Sequence, residues 1–145
     1  MCTKILVVDD EMSIRKLLFD ILEMEKYYVE LASNAEEALE KIKVTPFDLI
    51  ISDIKMPGMD GFKLLEKIRK MKVDSSVLFM TGYGSVDSAI EAIKLGVADY
   101  IEKPFDIIQF KTLVSQILHE RAIAKDKLLV YTLSRAIVSG LRNKY

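Results

Sequence analysis

Three aspartates, a threonine and a lysine stand where this chain could do chemistry. Asp9 and Asp10 follow the apolar run Ile5-Leu6-Val7-Val8. Asp53 follows Leu49-Ile50-Ile51-Ser52, Thr81 follows Val77 to Met80, and Lys103 precedes Pro104. Carboxylates brought close together repel, so either one takes up a proton or a cation joins them. Clustered carboxylate oxygens are hard ligands, suited to Mg²⁺, Mn²⁺ or Ca²⁺ and poorly suited to zinc. Mg²⁺ takes one or two carboxylates, keeps several waters and accepts phosphate oxygens in its open positions. Beside such an ion, Thr81 can donate to a phosphoryl oxygen and Lys103 supplies a point charge. Asp53 is then a carboxylate nucleophile able to take a phosphoryl group as an acyl phosphate.

These residues act together only if the fold brings them to one edge. Lys4 to Val8 reads as a buried strand, and from Met12 the period changes to a helix with Ile14, Leu17, Leu18, Ile21 and Leu22 on one face. Tyr28 to Ala32 is a second strand. Ser33 with Glu36 forms a capping box for a helix carrying Ala35, Ala38, Leu39 and Ile42. Phe47 to Ser52 is a third strand, followed by a loop at Pro57-Gly58 and Asp60-Gly61 and a helix with Phe62, Leu65 and Ile68. Val77 to Met80 is a fourth strand. Val86, Ala89, Ile90 and Ile93 mark a short helix stopped by Gly96. Tyr100 and Ile101 lie in a fifth strand, and Ile107, Phe110, Leu113, Val114, Ile117 and Leu118 mark the last helix of the series. Strict strand–helix alternation with near-continuous apolar strands predicts a parallel sheet covered on both faces. In such a sheet the functional crevice lies beyond the carboxyl ends of the strands, where these polar residues gather.

Composition agrees with a folded, non-membrane chain. Of 145 residues, 50% are hydrophobic and 30% charged, which excludes a wholly disordered protein. No apolar run approaches the roughly 18 residues of a membrane span. No secretory leader is visible at the N-terminus. A lone cysteine, Cys2, allows no internal disulfide. These features point to the cytoplasm. The net charge of −1 hides an asymmetry: residues 1–118 carry 15 basic and 20 acidic groups, residues 119–145 carry 6 and 2. The shift suggests a compact domain over 1–120 and a basic, amphipathic helical tail or linker over 121–145. In the tail Val130, Leu133, Ile137 and Leu141 recur at helical spacing, with Lys127, Arg135, Arg142 and Lys144 elsewhere. Such a stripe must be buried by folding back, by a second copy or by a following domain. A dimerising or docking helix continuous with the last helix of the domain is the favoured reading. Direct nucleic-acid binding has no motif behind it.

With these residues in order, the chain resembles the receiver domain of a two-component response regulator. The resemblance rests on Asp9-Asp10-Glu11, on Ser52-Asp53-Ile54-Lys55-Met56-Pro57-Gly58-Met59-Asp60-Gly61, on Thr81-Gly82-Tyr83-Gly84, and on Asp99-Tyr100-Ile101-Glu102-Lys103-Pro104-Phe105. It spans residues 4 to about 118. The stretch from Thr81 to Phe105 is most similar to receivers of the nitrogen-regulation class of transcriptional activators. The resemblance implies an α/β, flavodoxin-like, doubly wound sheet of five parallel strands in the order 2-1-3-4-5. It implies phosphorylation of Asp53 by a sensor histidine kinase or a small phosphodonor. It implies Mg²⁺, with Mn²⁺ as a substitute, ligated by Asp10, Asp53 and the backbone carbonyl of Lys55, with Asp9 acting through water. Thr81 and Lys103 would hold the phosphoryl oxygens, and the Lys103-Pro104 bond would be cis. Thr81 and Tyr100 would be the switch, remodelling the face of the fourth helix, fifth strand and fifth helix. Lys55 and Tyr83 occupy places that tune the lifetime of the phosphorylated state. The domain would catalyse only its own phosphorylation and dephosphorylation, pair in a phosphorylation-linked homodimer, and control an output domain or partner.

Other readings fit less well. A Mg²⁺-dependent phosphatase of the haloacid dehalogenase kind needs an aspartate two residues after the nucleophile, where Lys55 stands. An FMN carrier needs a hydroxyl- or Gly-rich loop after the first strand, where Asp9-Asp10-Glu11 would repel the phosphate. A receiver used only for docking would have no need of the complete acidic set. Gly82 and Gly84 do not open a dinucleotide loop, since Asp87 holds the third glycine place. His119-Glu120-Arg121 lacks the surroundings of a kinase phospho-acceptor, and Cys2 reads as an inert terminal residue.

Overall fold

The computed structural model describes residues 2–82 and 86–142, apart from the side chains of Val86 and Asp87. The expectations at Tyr83, Gly84 and Lys144 lie outside the described residues. The elements are β1 (Lys4–Val8), α1 (Met12–Met24), β2 (Tyr28–Ala32), α2 (Ala35–Val44) and β3 (Leu49–Asp53). They continue as α3 (Gly61–Lys70), β4 (Ser76–Thr81), α4 (Val86–Lys94), β5 (Asp99–Glu102) and α5 (Ile107–Arg142). The five strands pair in parallel in the order β2-β1-β3-β4-β5.

Strand side chains alternate between faces, so each central strand feeds two cores. Leu6, Val8 and Ile50 join residues of α2, α3 and α4 on one face. Ile5, Val7, Leu49 and Ile51 join Leu18, Ile21 and Leu22 of α1 and Phe110, Val114 and Ile117 of α5 on the other. Burial on both faces is why β1 and β3 read as unbroken apolar runs rather than alternating ones.

The structure departs from sequence expectation in three places. The cap of α2 is shifted by one residue: Asn34 Oδ1 accepts the Glu37 N–H at 2.8 Å, and Glu37 accepts from the Ser33 N–H and hydroxyl at 2.9 and 2.7 Å. On α4, Ile90 and Ile93 are exposed and Ala92 is buried, because the small-residue side of that helix lies against the sheet. Leu17 and Ile107 are likewise exposed. The stop of α4 is as expected: Gly96 takes a φ of +79° that a side chain would strain.

α5 continues well past the sheet, over 36 residues. Where it leaves the body, the Arg121 guanidinium reaches the Ser76 hydroxyl at 3.5 Å, the Asp74 carbonyl, and Asp48 Oδ1 at 3.6 Å. Beyond it, Ile123, Val130, Leu133, Ile137 and Leu141 are all exposed.

One close approach positions the end of β3. Gly61 opens α3 with its N–H donating to the Ile54 carbonyl at 2.8 Å. A Cβ there would sit 2.6 Å from the Asp53 carbonyl oxygen and 2.9 Å from Ile54 Cα. Backbone cannot yield as a flexible side chain does. Gly61→Ala is therefore expected to destabilise the fold by about 1–3 kcal/mol. A lower urea midpoint with an unchanged slope would show it.

Candidate phosphoryl-transfer site

The register of the central strands sets the site. Val8 lies opposite Ser52. Asp9 and Asp53 therefore emerge side by side from adjacent strands. Asp9 is 0% exposed and Asp53 7%, while Asp10 at the turn is exposed. Carboxylate oxygens of Asp9, Asp10 and Asp53 lie within 4.8 Å of one another. Asp9 Oδ1 accepts the Glu11 N–H at 2.9 Å. Lys103 Nζ bridges the two buried carboxylates, donating to Asp9 Oδ2 at 2.9 Å and to Asp53 Oδ2 at 3.1 Å. The Lys55 N–H donates to Asp53 Oδ1 at 3.4 Å.

The remaining expected residues arrive from β4 and β5. Thr81 ends β4, is buried, and its carbonyl accepts the Lys103 N–H at 2.7 Å. That bond fastens the backbone of Lys103 to the strand end. The next peptide bond, Lys103-Pro104, is cis. Tyr100, two residues before Glu102 on β5, packs its ring against the core and donates its hydroxyl to Glu102 Oε1 at 3.2 Å. Tyr100 thus stands on the rim, apart from the carboxylates.

Burial sets the electrostatics. It pushes the Asp53 carboxyl above its ordinary range, with Lys103 pulling it back and the Asp9 charge adding to the rise. Burial alone would lower Lys103, but the hydrogen bonds and charges of Asp9 and Asp53 outweigh it and hold the ammonium above its usual value. The Tyr100 phenol is raised chiefly by its bond to Glu102. Three carboxylates against one ammonium leave residual negative charge on an all-oxygen donor set. That fits a hard divalent cation of the Mg²⁺ type.

A family model, the response regulator receiver domain, matches residues 5–115. The chain belongs to this family. The transcriptional regulatory protein ZraR of Klebsiella oxytoca is 43% identical over 114 residues, covering 79% of this chain and 26% of ZraR. Sporulation initiation phosphotransferase F of Bacillus subtilis is 36% identical over 115 residues, covering 79% of this chain and 93% of that protein. Among solved structures, a CheY-like receiver domain protein from Methanospirillum hungatei is 35% identical with a TM-score of 0.82, covering 86% of this chain and 99% of that one. The receiver spans about a quarter of the length of several curated transcription regulators that it matches. Receivers are signalling domains that bind Mg²⁺ at an acidic cluster.

One residue of the receiver's site escaped sequence reasoning. Arg15 on α1 donates from Nη1 to the main-chain carbonyl of Asp9 at 2.7 Å. Its sequence signal was a cation in the opening turn of a helix, against the helix dipole.

The raised Asp53 carboxyl has a consequence for stability. Its folded pKa lies above the unfolded one, so folding favours the protonated form at low pH, and that advantage is lost as pH rises through the folded value. At neutral pH the buried anion is a cost to the metal-free receiver. Asp53→Asn is expected to raise the thermal midpoint in EDTA at pH 7 by a few degrees, on the order of 1 kcal/mol. The gap should close as pH falls toward the ordinary carboxylate range. Melting curves of both proteins across pH 4–8 check it (the pH range being about that of the carboxylate titration).

Proposed function

We propose that this receiver is a phosphorylation-dependent switch whose phospho-acceptor is Asp53. The observation that carries the reading is the Asp53 carboxylate itself. It is nearly buried, bonded to Lys103, and flanked by Asp9 and Asp10 at the carboxyl edge of the sheet. The donor is a sensor histidine kinase or a small phosphodonor. An Asp53 oxygen attacks phosphorus, the bond from phosphorus to the donor nitrogen breaks, and the released imidazole takes up a proton. Asp10, Asp53 and the Lys55 carbonyl would ligate Mg²⁺, or Mn²⁺ in its place, with Asp9 acting through water. When bound, the ion offsets charge on the transferring phosphoryl oxygens. Lys103 and Thr81 donate to those oxygens. The domain would act on no separate substrate beyond its own phosphorylation and dephosphorylation, and its expected setting is the cytoplasm.

The same residues supply the switch. A phosphoryl group draws on Lys103 and Thr81, and Thr81 releases space toward which Tyr100 can turn from its Glu102 contact. The face that would change carries the exposed Ile90 and Ile93 of α4 and Ile107 and Ile108 of α5. That face would control an output domain or partner. Residues 1–120 would be the receiver proper and 121–145 the tail.

The tail's geometry favours a homodimer. At about 3.6 residues per turn, Phe110, Val114, Ile117 and Arg121 point toward the body, and Ile123, Val130, Leu133, Ile137 and Leu141 point nearly the opposite way. The stripe therefore cannot fold against its own receiver while α5 stays straight. Two such stripes pairing in parallel leave the receivers on the outer flanks and bury on the order of 1,000 Å², enough for a specific interface. Phosphorylation would alter the receivers at the root of this pair.

Intact mass after incubation with acetyl phosphate tests the acceptor. One Mg²⁺-dependent phosphoryl adduct is expected on the wild type and none on a folded Asp53→Ala protein; an adduct that survives in the variant overturns the assignment. Lys103→Ala should still be phosphorylated but lose the conformational response, and an unchanged response would remove that role from Lys103. Sedimentation velocity tests the tail: the wild type should be dimeric and L133D/I137D monomeric, with equal phosphoryl uptake.

A further inference from the structure

Arg15 stands near the start of α1, a helix with no acidic residue in its first turn. A guanidinium there gains nothing from the helix dipole. What it does have is a short, charge-assisted hydrogen bond at 2.7 Å to the Asp9 carbonyl. Asp9 is tied at four points: its N–H to the Ala32 carbonyl at 3.1 Å, its carbonyl to Arg15, Oδ1 to the Glu11 N–H, and Oδ2 to Lys103. The fourth tie is shared, because the same ammonium serves Asp53. When Lys103 turns to a phosphoryl group, the strand bond to Ala32, Arg15 and the Glu11 N–H are left to hold Asp9, and of these only Arg15 holds the carbonyl that leads into the Asp10 turn.

The charge of Arg15 is felt at the head of α2. The Glu37 carboxylate is kept low first by its hydrogen bonds from Ser33 and further by the charges of Lys41 and Arg15. Glu37 is fixed by the Ser33 contacts at the head of α2.

We infer that Arg15 is a positioning residue for the divalent cation, holding the Asp9 carbonyl so that the turn presents the Asp9 and Asp10 carboxylates. The inference rests on reading the acidic cluster as the Mg²⁺ site. Arg15 also exerts an opposing effect, since its positive charge repels the ion. The two effects differ in sign when the charge is removed. Positioning predicts weaker Mg²⁺ binding, and repulsion predicts tighter binding.

The experiment is calorimetric Mg²⁺ titration of the full chain as wild type, Arg15→Met and Arg15→Lys, each also melted in EDTA. Groups that orient metal ligands typically account for about 10–100-fold in affinity. Arg15→Met is expected to weaken Mg²⁺ by about tenfold, and Arg15→Lys to recover part of it, since an ammonium can still donate to the carbonyl. Unchanged or tighter binding by folded Arg15→Met overturns the inference, as does a loss of melting temperature in EDTA with no change in Mg²⁺ affinity. Should Arg15→Met not fold, Arg15→Gln carries the test, with a several-fold weakening expected and unchanged affinity overturning it. A wild type that binds no Mg²⁺ would overturn the metal reading instead.

Discussion

Two carboxylates that water and mutual repulsion would separate are held side by side, nearly buried, by one ammonium. Lys103 Nζ stands between Asp9 and Asp53, at 2.9 and 3.1 Å, and offsets their mutual repulsion. The arrangement is a poor stabiliser and a good trap. One positive charge stands against three carboxylates, an all-oxygen set of the kind a hard divalent cation takes. Much of the surrounding structure serves to maintain that tension. Glu11 and Arg15 fasten Asp9, the Lys55 amide touches Asp53, and the Thr81 carbonyl fastens Lys103.

The parallel sheet is the means of assembly. Parallel pairing sends every strand's carboxyl end to one edge, so residues far apart in the chain meet without a long loop between them. Lys103 lies 94 positions from Asp9 and reaches it at 2.9 Å. β3 is central, with neighbours on both sides and buried along its whole length, and it delivers Asp53 into the most rigid part of the sheet. The contact of Gly61 with the Asp53 carbonyl continues that rigidity into α3.

α5 belongs to two structures at once. Its first turns present Phe110, Val114 and Ile117 to the sheet, and its later turns present an apolar stripe on the other side. Arg121 marks the change, bonded to groups at the amino ends of β3 and β4. The charge asymmetry follows the same division, with the acidic excess in the body and the basic excess in the tail.

The sequence by itself determined the alternation of strands and helices, the strand order through family resemblance, and the membership of the polar set. These were legible because they depend on local periodicity and on the residue types at the end of each apolar run. Ser33 with Glu36 misled because capping depends on which residue's backbone turns extended, and Asn34 does. Ile90 and Ile93 misled because either side of α4 could have met the sheet, and the smaller side packs closer. Arg15 was passed over because its partner is a backbone carbonyl, and a cation against the dipole in the opening turn of α1 was the single trace of it in the sequence. Only the tertiary structure decided that Asp9 and Asp53 are nearly buried while Asp10 is exposed, that Lys103 bridges two of the three, and that the tail's stripe points away from the body. Those facts depend on register, on the direction of a side chain at a strand end, and on angle accumulated along a helix, and none of these is fixed until the elements pack.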